Sequence, residues 1–264
     1  MTTNATFYAQ AEALYKHNKT GPLSNAQSAN TVLYLPLTVV TSKYHDFALE
    51  AEGQKPEAFL PPEYAGHPTL LAGVRAQRAL AAQNFQRADA GMFEFTFKGY
   101  PSSLVSLNKP LSRGTVLVTG SDPHLASGAP RVDFGVGANP VDVGTLVQAV
   151  RLARRWLAHP TLSVLGPVEA APGAQHRTDE ELERVFRERS MMATLMHPVG
   201  TAAMMPRALG GVVDPELRVY GVRGLRVVDA SIMPVIPACH LQATVYAVAE
   251  KAADIIRGVG GRAK

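Results

Sequence analysis

The amino-acid sequence predicts an α+β fold, in which a sheet domain is followed by a segment of different character. Three observations support this prediction. Phe93, Phe95 and Phe97 alternate with polar residues, which is typical of a strand with one buried face. More strand-like stretches follow, separated by turns rich in Pro, Gly, Ser and Asp. A long helical segment over residues 242–257 comes last.

The first third of the chain begins with a predicted helix over residues 4–17, because a Gly-Pro pair that ends helices follows shortly after it. Residues 31–40 predict a buried strand that Pro36 interrupts. Residues 44–68 are rich in Pro, Gly and Glu, and they indicate a surface excursion or lid. Residues 70–85 contain strong helix formers with helical periodicity, so a second long helix is expected there.

The middle of the chain combines strands with two well-marked helix starts. Asn139 provides a cap, Pro140 suits the first turn, and Asp142 places an acid near the positive end of the helix dipole. This helix should run to about residue 158, and residues 178–181 have the spacing of a capping box before another short helix. The strand signals lie at residues 93–97, 103–107, 115–119 and 131–135.

The last quarter differs in character from the sheet region. Residues 225–229 predict a short strand that ends in Asp229, and residues 234–237 indicate a turn. The final helix over residues 242–257 is closed by Gly258.

Composition excludes several classes of protein. The 264 residues are 46% hydrophobic and 18% charged, which suits one large or two modest domains rather than a disordered chain. The longest mostly apolar run is too short to span a bilayer. The single cysteine, Cys239, excludes an intrachain disulfide framework and a multi-cysteine zinc site, and no metal site is predicted. No localisation follows from the sequence, and a secreted parent stays an open alternative.

Nucleic-acid binding is not expected either. The net charge is +4, and the basic residues are scattered along the chain. The densest group, Arg151, Arg154 and Arg155, falls on one predicted helix, so a solvated helix face is favoured over a nucleic-acid footprint.

Complete catalytic motifs of the common kinds do not occur in the sequence. There is no G-x-S-x-G elbow, H-E-x-x-H helix or Walker A loop. Gly135 and Gly137 lack the third glycine of a dinucleotide-binding fingerprint. The sequence therefore contains no complete nucleotide-binding unit.

Two histidines stand in unusual settings. His197 precedes Pro198, which forces it out of helical geometry. His240 directly precedes the final helix, whose N-terminus favours anionic groups such as a pyrophosphate, a reduced flavin or an alkoxide. The remaining histidines are interpreted as structural: His17, His45, His67, His124, His159 and His176.

Several segments together carry a resemblance to a known family. The C-terminal ones are residues 197–205 (HPVGTAAMM), 211–221 (GVVDPELRVYG), 225–234 (LRVVDASIMP) and 249–256 (AEKAADII). The upstream ones are residues 110–114 (PLSRG), 121–123 (SDP) and 149–154 (AVRLAR). In this order they resemble the C-terminal part of glucose-methanol-choline (GMC) oxidoreductases. The likeness covers essentially the whole chain, and two histidines at the active-site positions match the glucose oxidase and aryl-alcohol oxidase branches.

The resemblance implies a division of the chain into two parts. Residues 1–195 would form a substrate-binding domain, a mostly antiparallel sheet with helices packed on it. Residues 196–264 would carry the catalytic histidines, and their strand and helix would complete a flavin-binding α/β domain. The family's N-terminal Rossmann unit for FAD is absent from the sequence, so the chain looks truncated and is expected to bind FAD weakly or not at all alone.

The resemblance also implies roles for particular residues. His197 would take the hydroxyl proton of an alcohol while the carbinol hydride passes to flavin N5, and His240 would bond the same oxygen beside the flavin. This chemistry is sensible, because a neutral imidazole titrates in the right range to accept the proton. A second imidazole can stabilise developing alkoxide charge. Asp229 and Ala230 would lie near the diphosphate and ribityl chain, and Leu241 and Gln242 would offer backbone groups to the flavin.

The expected parent is thus an FAD-dependent alcohol oxidoreductase that makes a carbonyl product and passes electrons to O2 or a quinone. Phe47, Phe59 and Tyr64 suit an aromatic or hydrophobic primary alcohol, and they suit a lid core equally well. Met196 stands where aryl-alcohol oxidases tend to have an aromatic residue. Two alternatives stay open. One is a flavin-containing hydroxynitrile lyase of the same family, and the other is a non-catalytic fragment that serves as a binding or assembly module.

Overall fold

The computed structural model describes residues 5–24, 29–98, 103–121, 128–164, 166–190 and 194–258. Two antiparallel sheets lie within these residues. The larger sheet has the order β1-β2-β3 and consists of β1 (Ala29–Leu35), β2 (Phe93–Lys98) and β3 (Ser103–Leu107). The smaller sheet pairs β4 (Thr115–Leu117) with β5 (Arg131–Asp133). The predicted antiparallel sheet is therefore confirmed.

The described residues also contain eight α-helices. They are α1 (Ala5–Asn18), α2 (Leu37–Val40), α3 (Tyr44–Gly53), α4 (Pro68–Phe85), α5 (Pro140–Leu157), α6 (Pro160–Ser163), α7 (Asp179–Val185) and α8 (Leu241–Arg257). The main core joins β2 to α3, α4 and α5 through Phe93, Phe95, Ala51, Phe85 and Val141, all almost fully buried. The α+β class is confirmed.

The helix ends that the sequence predicted from capping residues are confirmed at the start of α5, the start of α7 and the end of α8. Asn139 Oδ1 accepts a hydrogen bond from the Val141 amide at the start of α5. Thr178 and Glu181 form the predicted capping box before α7. Gly258 ends α8 in the left-handed region, with φ of 71°.

Asp142 has a further part in the core, because its buried carboxylate accepts hydrogen bonds from the Leu111 and Ser112 amides, each at 2.7 Å. Burial raises the pKa of the Asp142 carboxyl, while these hydrogen bonds act in the opposite direction. The carboxylate therefore joins the start of α5 to the segment after β3.

A separate cluster of buried side chains belongs to the C-terminal segment. Val213, Leu217, Ile232 and Ala252 form its centre, and α8 packs on it through one face. The segment contacts α4 closely, since a Cβ atom on Gly73 would lie 2.2 Å from the Leu209 carbonyl oxygen. The C-terminal segment is thus seated on a helix of the sheet region.

The predicted strand over residues 31–40 is wrong in its second half. β1 ends at Leu35, and Pro36 caps α2 instead. The amides of Val39 and Val40 both donate to the Pro36 carbonyl, at 3.1 and 3.3 Å. Proline has no N–H to continue a strand ladder, but its carbonyl can start a helical turn.

The interpretation of residues 44–68 as a surface excursion is also corrected. α3 occupies the first part, and its Ala48 and Ala51 are buried in the main core. Only the second part consists of short turns, at Pro56–Phe59 and Pro62–Tyr64. Small alanines spaced three apart give α3 a narrow apolar face, which allows it to pack on the core.

Two predicted strands differ from expectation in other ways. β2 is buried on both faces, since Glu94 and Thr96 are 2% and 4% exposed. Residues 225–229 form no strand ladder: within them only Arg226 makes a bridge, to Arg218. A strand requires a paired neighbour along its length, and the described residues supply a partner at one position only.

Some expectations lie outside the described residues. These are the helix start at Asn4, the family-like residues 122–123, and the side chain of Phe97. Within the described residues, no helix is both long and apolar enough to cross a membrane.

Candidate active site

The His197 and His240 imidazoles lie against each other. Their ring centroids are 4.9 Å apart, and the ring planes meet at 75° in an edge-to-face arrangement. His197 lies in an irregular loop just after Met196, which adopts a left-handed φ of 63°. His240 is the N-cap residue of α8 and has extended backbone geometry. The structure therefore brings together the two histidines that the sequence singled out.

Backbone pairing explains how two distant segments bring these rings together. The Ala202 amide donates to the Ser231 carbonyl at 3.0 Å, and the Met204 amide donates to the Ile232 carbonyl at 2.8 Å. These bonds join the stretch after His197 to the turn that leads towards His240.

A buried acid lies beneath the second histidine. His240 Nε2 is 2.8 Å from Glu94 Oε1 in β2. The Glu94 side chain is 3% exposed, whereas that of His240 is 53% exposed. When the Glu94 carboxylate is ionised it only accepts hydrogen bonds, and Nε2 then carries the hydrogen of this contact. Glu94 thus fixes the edge of the imidazole that faces the protein.

Tyr34 is the cross-strand partner of Glu94 in the β1–β2 register. Burial raises the pKa of the Tyr34 hydroxyl to about 12, the negative charge of Glu94 adds to this rise, and a hydrogen bond from the His240 backbone opposes it. Tyr34, Glu94 and His240 therefore form one polar cluster near the end of β1 and the start of β2.

The two imidazoles differ in their surroundings. His240 is engaged by Glu94, whereas His197 makes no hydrogen bond to any part of the chain that the structure describes. The His197 ring is half-buried. One ring is therefore oriented by a hydrogen bond within the protein, and the other is not.

Asp229 and Ala230 lie on a turn close to this arrangement. Asp229 caps the short turn Ala230–Ile232, and its carboxylate accepts a hydrogen bond from the Ser231 amide at 2.8 Å. The carbonyls of the same turn pair with the stretch after His197. Asp229 therefore shapes the turn, and among the described residues neither Asp229 nor Ala230 makes a hydrogen bond to either imidazole.

Leu241 and Gln242 form the start of α8, directly after His240. Leu241 is buried and Gln242 is exposed. No side chain caps this helix end, and neither amide is bonded within the described part of the chain. Amide groups at the start of a 17-residue helix suit an electronegative group of a cofactor, so this end of α8 fits such a group.

The aromatic residues considered for a lid are placed mainly by packing. Phe47 packs against the main core and lies close to Gly144 of α5. The Tyr64 hydroxyl donates to the Gly114 carbonyl at 3.3 Å.

Sequence reasoning missed Glu94 and Tyr34. Alternation in β2 placed Glu94 on the exposed face, because the segment that covers that face lies far away in the sequence. The available signal was an acid enclosed by Phe93 and Phe95 within a short strand.

Comparison with known proteins gives a consistent result. The family model described as GMC oxidoreductase matches residues 110–249. The dehydrogenase xptC of Emericella nidulans is 34% identical over 265 residues, covering 98% of this chain and 41% of that protein.

Two solved structures agree closely with this fold. An FAD-dependent oxidoreductase from Chaetomium thermophilum has a TM-score of 0.89 and 37% identity, over 97% of this chain and 43% of its own. A fungal aryl-alcohol oxidase has a TM-score of 0.84 with the same identity and coverage. The chain thus spans about two fifths of the length of these relatives.

Proposed function

Because this chain belongs to the GMC oxidoreductase family, we propose that it provides the proton-transfer part of the active site of an FAD-dependent alcohol oxidoreductase. The observation that carries the proposal is the paired arrangement of His197 and His240, with Glu94 behind only one of them. In this proposal residues 1–195 form the substrate-binding domain, and residues 196–264 carry the histidines and complete the flavin-binding domain.

His197 acts as the base. Its imidazole has no hydrogen-bond partner in the described residues, so a ring nitrogen is available to accept the hydroxyl proton of an alcohol. Loss of this proton favours departure of the hydride, because the product is then a neutral carbonyl. Bound FAD supplies the acceptor for that hydride.

His240 orients the alcohol. Its Nε2 edge is held by Glu94, so Nδ1 is the nitrogen left to face the substrate oxygen. Because the ring is already held by Glu94, it needs no reorientation when the alcohol binds, and its contact with the oxygen helps to fix the position of the carbinol carbon. His197 and His240 thus have complementary roles in this mechanism.

The residues that would hold the flavin are those around the start of α8. The uncapped Leu241 and Gln242 amides would face electronegative atoms of the ring, and the turn at Asp229 and Ala230 would lie along the ribityl-diphosphate chain. The remaining contacts would come from the part of the relatives that this chain does not span. We therefore expect weak or no FAD retention by residues 1–264 alone.

We further propose a primary alcohol as the substrate, with aromatic alcohols as the first to test, because of the likeness to a fungal aryl-alcohol oxidase. The electron acceptor would be O2 or a quinone. The exposed Met196 side chain lies next to His197, where it can contact a substrate that approaches from solvent.

A chimera tests this proposal directly. This chain would replace the matching part of the Chaetomium thermophilum oxidoreductase, whose fold it shares over 97% of its length. We expect flavin to be retained and primary alcohols to be oxidised to aldehydes. His197→Gln should lower kcat by roughly 10²- to 10⁴-fold, the usual contribution of a general base.

The control for this experiment is His45→Gln, since His45 is exposed and bonds only to Gln86 in the described residues. Turnover that survives His197→Gln would contradict the assignment of the base. Cyanide release from a hydroxynitrile without reduction of an acceptor would identify the lyase alternative. A flavin-loaded chimera without either reaction would support the non-catalytic alternative.

A further inference from the structure

The segment that leads into His240 is irregular, yet side chains of the sheet region hold it at two points. Residues 234–239 form neither helix nor strand. The Gln77 side-chain amide donates to the Pro234 carbonyl at 2.9 Å. The Lys109 ammonium donates to the Ile236 carbonyl at 2.8 Å. Both donors belong to residues far away in the sequence, on α4 and just after β3.

Arg113 determines which way the Gln77 amide points. Arg113 Nη2 donates to Gln77 Oε1 at 3.1 Å, and a guanidinium can only donate. The oxygen of Gln77 must therefore face Arg113, which turns its NH2 group towards Pro234. Arg113 is itself held by the carbonyls of Pro110 and Ser112. The orientation of Gln77 is thus set by a fixed neighbour.

The same amide also contacts the segment that carries His197. Gln77 Nε2 lies 3.4 Å from the Met205 sulfur atom, and the Met205 carbonyl accepts a hydrogen bond from the Tyr220 hydroxyl. One side chain of α4 therefore contacts both segments that carry the histidines.

The Lys109 ammonium holds a second backbone carbonyl of this segment, that of Ile236, and it does so from a partly buried position. Its side chain is half-buried, and burial lowers the pKa of the Lys109 ammonium. A buried ammonium is tolerated only where it is hydrogen-bonded, and a bond from a charged donor is about twice as strong as a neutral one. The Ile236 carbonyl is the acceptor that Lys109 finds in the described residues.

We propose that Gln77 and Lys109 are positioning residues that set the distance between the two imidazoles by holding the carbonyls of Pro234 and Ile236. The inference rests on the proposed function for its catalytic meaning, but the positioning is a property of the chain alone. Neither side chain touches the His197 or His240 ring, so each acts through the backbone.

Two substitutions remove the contacts with little change in shape. Gln77→Glu keeps an oxygen for Arg113 but places a carboxylate oxygen, which cannot donate, against the Pro234 carbonyl. Lys109→Met keeps the aliphatic stem and removes the ammonium, and Lys109→Arg restores a charged donor. The matched control is Gln83→Glu, at an exposed position of the same helix.

The measurement is the nuclear Overhauser effect between the His197 and His240 ring protons in the isotope-labelled 264-residue chain, without flavin or substrate. We expect the cross-peak in the unchanged chain and in Gln83→Glu. It should be lost in the Gln77→Glu, Lys109→Met double variant and partly recovered when Lys109→Arg replaces Lys109→Met. Circular dichroism and thermal unfolding would show that the double variant is folded.

Three outcomes overturn the proposal: no cross-peak in the unchanged chain, an unaltered cross-peak in the double variant, or no recovery with Lys109→Arg. An unfolded double variant would be replaced by the two single variants, which meet the same criteria. In the chimera, misplacement of the rings by about 1 Å should lower kcat by up to about 100-fold with little change in KM. A cross-peak that responds as expected in a catalytically inactive chain would uphold the positioning and refute the proposed function.

Discussion

At the scale of single residues, the contact between His240 and Glu94 determines which imidazole nitrogen faces the sheet region. Neutral imidazole carries one hydrogen, and an ionised Glu94 carboxylate favours its position on Nε2. Nδ1 then has a free electron pair that Glu94 does not engage. The orientation and the tautomer of His240 therefore depend on one buried side chain.

Replacement of Glu94 by Gln tests this dependence. The glutamine amide can donate to Nε2, which allows the imidazole hydrogen to move to Nδ1. We expect the ring ¹⁵N shifts of His240 to change towards the Nδ1–H form, and kcat in the chimera to fall by about 100-fold because the ring is no longer correctly presented. Glu50→Gln, at an exposed position of α3, is the control. Unchanged ring shifts would show that Glu94 does not set the tautomer.

Tyr34 makes stability depend on pH in the alkaline range. Its pKa is raised from 10.0 to about 12 in the folded chain, mainly by burial. Since the folded pKa lies above the unfolded one, the stabilisation is complete below pH 10 and is lost as pH rises towards 12. The difference in unfolding free energy between the unchanged chain and Tyr34→Phe should therefore shrink over this window. Urea unfolding measures it, and a constant difference would contradict the assignment.

The two histidines could be found from the sequence because the segments that carry them resemble the GMC family. A following proline alone would not mark them, since His67 and His159 also precede proline. Glu94 could not be found from the sequence, because alternation within β2 says which residues share a face but not what covers that face. Its role depends on a contact with a residue that is 146 positions away.

At the scale of elements, α4 is the platform for the C-terminal segment. Gly73 lies against the Leu209 carbonyl. Leu70, one turn earlier in α4, lies close to Gly210. A side chain at position 73 would separate the two backbones, so the lack of a Cβ atom allows this approach.

Gly73→Ala should therefore destabilise the chain by about 1–3 kcal/mol, as expected for overpacking. Gly53→Ala is the matched comparison, since a Cβ atom there meets nothing within 4 Å. That change should be neutral or stabilising by up to about 1 kcal/mol, because alanine loses less backbone freedom on folding. Chemical denaturation measures both free energies. An equal effect of the two substitutions would argue against the close contact.

Elements with local stop and start signals were predictable, as α5, α7 and α8 show. Pro36 was interpreted as an interruption of a strand, yet its carbonyl starts α2. Residues 225–229 have the composition of a strand but only one paired residue. Strand formation depends on a neighbour, and composition alone does not supply one.

At the scale of the whole molecule, one buried charge lacks full compensation. Arg78 is 5% exposed, and its Nε and Nη2 atoms have no hydrogen-bond partner among the residues that the structure describes. Burial, and then the positive charge of Arg113, lower the pKa of the Arg78 guanidinium. Such a group opposes folding, because its donors lose water without a replacement.

Arg78→Met should therefore raise the free energy of unfolding by about 1 kcal/mol, since apolar replacement of buried charges is often stabilising. Arg75→Met on the same helix is the control, because Arg75 is exposed and pairs with Glu57. That surface pair contributes at most about 1 kcal/mol, so its loss should be neutral or slightly destabilising. A clear loss of stability in Arg78→Met would refute this account.

The sequence separation of Glu94 and His240 also has a consequence for how the molecule folds. A contact that closes a loop of 146 residues carries a large entropic cost, which is met only after the intervening chain has become compact. The caps of α5 and α7, in contrast, join residues no more than three positions apart. Helical circular dichroism should therefore recover early during refolding, and the histidine pair should form among the last contacts.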